Sequence, residues 1–283
     1  MKINQPLCSV IIVTHNGEKH IPKAMKCLKN QTRQADEIII VDSGSKNPNY
    51  LGKYQKEANV KIILGEKDIG FCKGNNLGME KLHPSADYVF FLNPDAFPNP
   101  DFLENSIAYM ENPLNQCCGA ITGTTLGYDI DLDQPTGKYD STGIFHSWYG
   151  KWYDRAQGEK FNANLYIKEE DIPAICGAVF FCRKTALDEV EIREAEIFDN
   201  TFFMYKEDID LSLRLRKKGW KLMFVPQLLA YHCRGWHRDR GKAPRIMRLY
   251  SAKNELKIHA RNLSPIGMLY SLMKLFAVKV FDL

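Results

Sequence analysis

Three short segments carry side chains whose types and spacing could do chemistry. Asn93-Pro94-Asp95 sets two oxygen-bearing side chains two residues apart, directly after the apolar run Tyr88–Leu92. A hard divalent cation such as Mn2+ or Mg2+ prefers carboxylate and carbonyl oxygens, keeps water positions open and can bridge a diphosphate to protein. The same tripeptide is also an ordinary Asx-Pro turn. Tyr205-Lys206-Glu207-Asp208-Ile209-Asp210 places three carboxylates in four positions. Crowding of that kind disfavours simultaneous ionisation, raises at least one pKa when the site is dry, and yields a proton acceptor. Acids that complement the dipole of a first helical turn leave the same pattern. His232, after the apolar Leu228–Ala230, offers an imidazole either to a metal or to a structural hydrogen bond.

The elements that must position these groups follow from periodicity. Cys8–Thr14 and Glu37–Asp42 are continuous β-branched runs of the kind buried on both faces of a parallel sheet. Ile21–Leu28 carries a helical apolar stripe, Val60–Leu64 and Tyr88–Leu92 are further strands, and Phe71–Leu82 is a helix. The alternation predicts a doubly wound α/β sheet with ligands at the carboxyl ends of its strands. Those ends read Thr14-His15-Asn16, Asp42-Ser43-Gly44-Ser45 and Asn93-Pro94-Asp95. Residues 116–175 lose periodicity and read as long binding loops. Ile175–Cys182 returns to strand. Asp208–Lys218 alternates like a strand, but acids at its start, Arg216, Lys217 and Lys218 in its last turn and Gly219 behind them predict a helix.

Composition narrows the class. A chain of 283 residues with 45% hydrophobic and 25% charged residues is neither disordered nor low-complexity. Charge is uneven: residues 1–213 hold 22 basic and 31 acidic groups, residues 214–261 hold 14 and 2. A basic final third suggests an anionic ligand or surface. Eight cysteines without a C-x-x-C pair, several inside apolar runs, predict reduced thiols and a cytoplasmic location. Val10–Val13 is too short for a signal sequence, and Leu263–Leu283 is broken by Lys274, Lys279 and Asp282 as a membrane span. Neither G-x-G-x-x-G after the first strand nor a P-loop is present, so another device must hold any phosphates.

The ordered succession SVIIVTHN, EIIIVDSGS, KDIGFCKGNNLGM, FLNPDA, ICGAVFFCRKTAL, FFMYKEDIDLSLRLRKKGW and YHCRG resembles the family 2 glycosyltransferases of the GT-A fold, in particular their rhamnosyltransferase-like branch. The likeness runs over about residues 7–262. It implies that the sheet is mixed, mostly parallel, and followed by C-terminal helices. It also implies that residues 1–115 form a nucleotide-sugar-binding half, 116–240 an acceptor-binding and catalytic half of the same domain, and 241–283 a basic helical segment. It further implies that Thr14, Asn16 and Asp42 hold base and ribose, and that Asp68, Gly70, Phe71, Lys73 and Asn75 lie beneath the nucleotide and donor sugar. Asn93-Pro94-Asp95 takes the place of the family's Asp-x-Asp motif, with Asp95 as metal ligand and the neutral Asn93 as a departure. Asp208 falls at the catalytic base, Glu207 beside it, His232 at a further metal ligand, and Cys176-Gly177-Ala178 at the acceptor side.

The implied reaction is an inverting transfer from a dTDP- or UDP-sugar to a glycan or polyprenyl-linked acceptor in surface polysaccharide synthesis, with Mn2+ or Mg2+ as cofactor and no nucleic acid. A sugar-phosphate nucleotidyltransferase is one alternative, although THNGEKH lacks a Gly-rich basic loop. A nucleic-acid-binding module built on residues 214–261 is another, but it leaves the strand-end acids unexplained. Arg234, Arg238, Arg240, Lys242, Arg245 and Arg248 form a basic segment able to fold over a donor diphosphate or, equally, to face a polyprenyl-diphosphate-linked acceptor or an anionic leaflet. Ile266, Leu269, Tyr270, Met273, Phe276, Ala277 and Val280 share one helical stripe, which suits either peripheral contact with the inner face of the cell membrane or packing on protein.

Overall fold

Five consecutive β-branched residues, Val10–Thr14, make β1 (Cys8–Thr14) a strand that can be buried on both faces, and it lies inside the central sheet with every residue buried. The computed structural model describes residues 5–234 and 244–282. After β1 come α1 (Ile21–Lys29), β2 (Glu37–Asp42), β3 (Val60–Leu64), α2 (Gly70–Glu80), β4 (Tyr88–Leu92), β5 (Ala96–Pro98) and α3 (Phe102–Glu111). The chain continues through β6 (Cys118–Asp129), β7 (Gln134–Ser141), β8 (Ile144–His146), β9 (Trp152–Asp154), β10 (Glu170–Asp171), β11 (Val179–Arg183) and α4 (Lys184–Asp188). It ends with α5 (Glu207–Lys217), β12 (Lys221–His232), α6 (Arg245–Arg261) and α7 (Pro265–Val280).

The sheet is mixed and runs β10-β12-β6-β11-β4-β1-β2-β3, with β5 added beside β12 and β7 beside β6. The β4-β1-β2-β3 part is parallel, and β11 joins it antiparallel to β4. Alternate residues feed two cores. Val10, Ile12, Ile38, Ile40 and Phe90 pack under α1 and α3, whereas Ile11, Val13, Ile39, Val41 and Phe91 pack under α2 and α5. Helix α2 lies close to the sheet because a β-carbon on Gly74 or Gly78 would come within 2.6 Å of Val13 or Ile11.

Two parts of the chain depart from expectation. Residues 116–175 are not mainly loop, since they contain the 12-residue β6 and its hairpin partner β7. Glycines at 119, 123 and 127 hide β6 from pattern analysis. They serve close approach: a β-carbon on Gly123 would lie 1.8 Å from the Leu228 carbonyl oxygen in β12. β12 is concealed by Pro226, which sits at an irregularity in its parallel pairing with β6, between Phe224 and Leu229. In contrast, α5 forms where its flanking charges and Gly219, with φ +91°, place it.

Helices α6 and α7 pack as a hairpin. Glu255 of α6, fully buried, pairs with Lys274 of α7 and accepts the Trp152 backbone N–H at 3.2 Å. His259 meets the Gly150 carbonyl at 2.9 Å and lies so near Gly267 that a β-carbon there would clash with its ring. These contacts tie the hairpin to the segment around β9, which forms one wall of the site.

Candidate active site

The ends of β1 and β2 build a polar shelf. Thr14 Oγ1 lies 3.1 Å from the Tyr50 hydroxyl, which donates to Asp42 Oδ2 at 3.2 Å. Asp42 also accepts the Ser45 backbone N–H at 2.8 Å. Asn16, in a left-handed conformation with φ +51°, donates its N–H to Ser45 Oγ at 2.6 Å and accepts the Lys46 N–H at 3.0 Å. Asp68 accepts from the Ser43 hydroxyl and from the Gly70 N–H, at 2.9 and 3.0 Å, which fixes the start of α2. Gly70 has φ +78° and abuts Phe203, so no side chain fits there. Thr14, Asn16, Asp42, Asp68 and Gly70 are thus joined in one network through Ser43, Ser45 and Tyr50. Lys73 is exposed on α2, and the buried Asn75 donates within its own helix to the Phe71 carbonyl at 3.0 Å.

The acid and histidine expected at a metal meet through strand pairing. β5 pairs antiparallel with the end of β12, Ala96 opposite His232, and this register sets Asp95 beside His232. His232 Nε2 lies 3.3 Å from Asp95 Oδ1, while its Nδ1 lies 2.9 Å from Asp140 Oδ2. The Asn93 amide nitrogen is 3.4 Å from the same Nε2. Burial works against a charged imidazole, but the two carboxylates outweigh it and push the His232 pKa to about 10. The pocket therefore favours one added positive charge. Its donor set, a carboxylate oxygen and an imidazole whose far nitrogen is held by a second carboxylate, suits a divalent cation. No group of three or more His, Cys, Asp or Glu able to hold a metal occurs among the described residues. A cation here would take its remaining ligands from water or a bound diphosphate, as Mg2+ commonly does.

The acidic end is built differently. Tyr205 and Lys206 both adopt left-handed backbone, φ +70° and +72°, immediately before α5. Asn254 of α6 restrains this turn, donating to the Met204 and Tyr205 carbonyls at 3.0 and 2.9 Å. Non-glycine residues in that conformation cost about 1–3 kcal/mol each and mark functional turns. The turn delivers Asp208 to the Gly177 N–H, which donates to Oδ2 at 3.0 Å, and Asp208 Oδ1 accepts the Ile209 N–H at 2.8 Å. Burial raises the Asp208 pKa. Burial and the neighbouring Asp208 also push Glu207 up, to about 8. Glu207 Oε2 and Trp152 Nε1 are buried without a hydrogen-bond partner among the described residues.

Both ends open on one cavity of about 770 Å3. Its walls include Asn93, Cys176, Gly177, Ala178, Glu207, Asp208 and His232, together with Phe71. That volume suits a small-molecule site. Residues not singled out by sequence complete it. Asp140 binds His232 and also Arg234, whose Nε lies 2.8 Å from Asp140 Oδ1. Arg234 reaches on to Asp154 at 2.7 Å and to Cys176 Sγ at 3.5 Å. Arg234 is therefore a largely buried brace between β7, β9 and the cavity. Arg245 and Arg248 belong to α6 and bind the end of α7 through the Lys279 carbonyl and Asp282. Arg238, Arg240 and Lys242 lie outside the described residues. Asp140 and Asp154 sit in β7 and β9, where half-exposed strands give no clean alternation.

Solved structures share this architecture. One is the crystal structure of GalNAc-T7 with UDP, GalNAc and Mn2+, which aligns with TM-score 0.67 and 16% identity over 92% of this chain and 48% of that one. The chain thus spans about half the length of that structure. Another is the mannosyltransferase PcManGT from Pyrobaculum calidifontis with GDP-Man and Mn2+, at TM-score 0.62 and 14% identity over 98% of this chain and 71% of the other. The fold is that of the GT-A glycosyltransferases. The model of glycosyl transferase family 2 matches residues 9–190, well over half of the sequence, and the chain belongs to that family. It is an inverting glycosyltransferase. Curated relatives include the N-acetylglucosaminyl-diphospho-decaprenol L-rhamnosyltransferase of Mycobacterium tuberculosis, 23% identical over 84% of this chain and 79% of the relative. Rhamnosyltransferase WbbL of Escherichia coli is 29% identical over 79% of this chain and 82% of its own. Asp208 and His232 lie beyond the matched span, so their place in the site rests on geometry.

Proposed function

We propose that the chain transfers a deoxysugar, rhamnose first among candidates, from a dTDP- or UDP-linked donor to a hydroxyl of a lipid-linked glycan in surface polysaccharide synthesis. The work would take place in the cytoplasm, at the inner face of the cell membrane. The observation that carries this reading is convergence: Asp208 and His232 face one cavity although 24 residues apart, and Asp95, a further 113 residues away from Asp208, touches His232. Rhamnosyl relatives, one of them named for a diphospho-decaprenol acceptor, support the choice of substrates. Family membership also weighs against the nucleotidyltransferase and nucleic-acid-binding alternatives.

The roles follow from the geometry. Thr14, Asn16 and Asp42 would hold the nucleoside on the polar shelf, above the turn that Asp68 and Gly70 fix. Asp95 and His232 would hold a divalent cation, Mn2+ or Mg2+, with Asp140 orienting the imidazole. Such an ion supplies countercharge for a leaving diphosphate. Asp208 is the base: its two oxygens are set by the N–H groups of Gly177 and Ile209, and it takes the proton of the acceptor hydroxyl. As that proton leaves, the acceptor oxygen bonds to the anomeric carbon and the bond from that carbon to the diphosphate oxygen breaks, with inversion. Glu207 and Trp152 offer to acceptor hydroxyls buried polar atoms that have no partner among the described residues.

A donor-hydrolysis screen over dTDP- and UDP-sugars with Mn2+ or Mg2+ needs no acceptor. Metal-dependent release of nucleoside diphosphate from a dTDP- or UDP-deoxysugar is expected. Turnover of neither donor class, with stabilisation of the fold by oligonucleotides instead, would overturn the reading. Asp95→Ala should weaken donor binding in the presence of Mn2+ and leave its metal-free binding unchanged.

A further inference from the structure

The face of α7 that points away from the body is apolar. Ile266, Leu269, Met273, Phe276 and Val280 follow at helical spacing and are each more than half exposed, with Leu269 at 60% and Phe276 at 59%. The buried residues of the helix, Gly267, Ser271 and Val278, lie on the opposite side. The packing that the stripe could have indicated is therefore made by the other face. This leaves a ridge about 20 Å long, estimated from the helical rise between positions 266 and 280, with no partner among the described residues.

Charge chooses between occupants. From Arg245 to Asp282 the chain carries seven Lys and Arg and two acids, Glu255, fully buried against Lys274, and Asp282, which pairs with Arg245 and Arg248, so the hairpin keeps a positive excess. Arg245, Lys253 and Lys279 are exposed around the hairpin. A second copy of the same surface would bring like charges together, whereas an anionic lipid surface complements both the cations and the apolar ridge. No described helix is long and apolar enough to cross a membrane, so the ridge suits a helix lying in the interface. The ridge is also continuous with the site: Met273 is 58% exposed yet lines the cavity, next to Tyr270 and Ala277.

We propose that this face of α7, flanked by Lys279 and by Arg245, whose guanidinium donates to the Lys279 carbonyl, docks on an anionic lipid bilayer and brings the cavity mouth to the level of the lipid headgroups. The biological use of the contact rests on the lipid-linked acceptor proposed above. Vesicle flotation of the full chain tests it. The wild type should float with phosphatidylcholine vesicles containing phosphatidylglycerol, much less with phosphatidylcholine alone, and less again in high salt. The double variant Leu269→Glu, Phe276→Glu should lose at least tenfold of this partitioning. Its donor hydrolysis without vesicles and its melting temperature should stay at the wild-type values, since neither side chain lines the cavity. Flotation by the variant equal to wild type, or no flotation by the wild type with either vesicle, overturns the proposal. So does a concentration-dependent dimer that the variant abolishes. Failure of the donor screen with vesicle binding intact would instead count only against the reaction.

Discussion

The two ends of the cavity treat carboxylates in opposite ways. At the β5–β12 end, burial would raise the pKa of Asp95 and of Asp140, but His232 beside Asp95, and Arg234 and His232 beside Asp140, hold both acids below the ordinary range. At the start of α5, burial outweighs the backbone N–H groups and the nearby Lys206 and drives both Glu207 and Asp208 upward. The difference teaches how one cleft can hold a permanently charged set, suited to a cation, beside a pair that binds and releases a proton. Cations placed next to a carboxylate fix its charge. Where desolvation outweighs them, it stays basic.

The most damaging way to break this contrast is Asp208→Asn, which removes the base and keeps the volume. Turnover should fall about 10^2–10^4-fold, with nucleotide-sugar affinity retained in a binding assay; near wild-type turnover would remove Asp208 from its role. Next is Asp140→Asn, which leaves the imidazole of His232 with a weaker partner. Mn2+ affinity, followed by titration with the nucleoside diphosphate present, should drop about 10–100-fold, while metal-free nucleotide binding is unchanged. Asn254→Ala reaches the acidic end indirectly by freeing the Met204 and Tyr205 carbonyls. A loss of roughly tenfold in kcat with little change in donor KM is expected if the left-handed turn aims Asp208, since a misplaced group can cost up to about 10^2-fold.

The smallest effect concerns stability and pH. Glu207 has a folded pKa of about 8 against an ordinary 4.5. Folding is therefore unaffected by this group below pH 4.5 and is progressively disfavoured as pH rises from 4.5 to 8, because only the unfolded chain ionises freely. Glu207→Gln should raise the melting temperature by a few degrees, an order-of-magnitude shift for a chain of this size, at pH 8 and hardly at pH 4.5. An equal shift at both pH values would mean that Glu207 is not held neutral. Activity on the acid side should likewise rise with pH as Asp208 gives up its proton, with a midpoint above the usual carboxylate range.

The parts of the site legible in sequence are those whose signal is local. β1, β2 and β4 announce themselves by unbroken apolar runs, and their carboxyl ends supply Thr14, Asn16, Asp42, Asn93 and Asp95 without reference to anything distant. α5 is legible from charges and a terminal glycine, and with it Glu207 and Asp208. Asp140, Asp154, Tyr50 and Asn254 were not. Asp140 lies in a strand exposed over its first five residues, and nothing within that strand says that its carboxylate will face His232, 92 residues later. Tyr50 stands in a short 3-10 helix between β2 and β3 that no periodicity marks, and Asn254 looks like any polar residue of a helix. Lys73, exposed on α2, and Asn75, which donates to the Phe71 carbonyl of its own helix, were named by the family motif and not by any local pattern.

By itself the sequence determined which segments become strands and helices in the first hundred residues, and which acids stand at their ends, because those outcomes depend on neighbours a few positions away. Tertiary structure alone decided that β5 adds to β12 and sets Asp95 against His232, that β7 brings Asp140 behind the imidazole, and that α7 turns its apolar face outward. Each of these depends on which strand pairs with which, or which side of a helix meets the body. Such choices are made by the summed packing of residues far apart in the chain, so no local pattern records them.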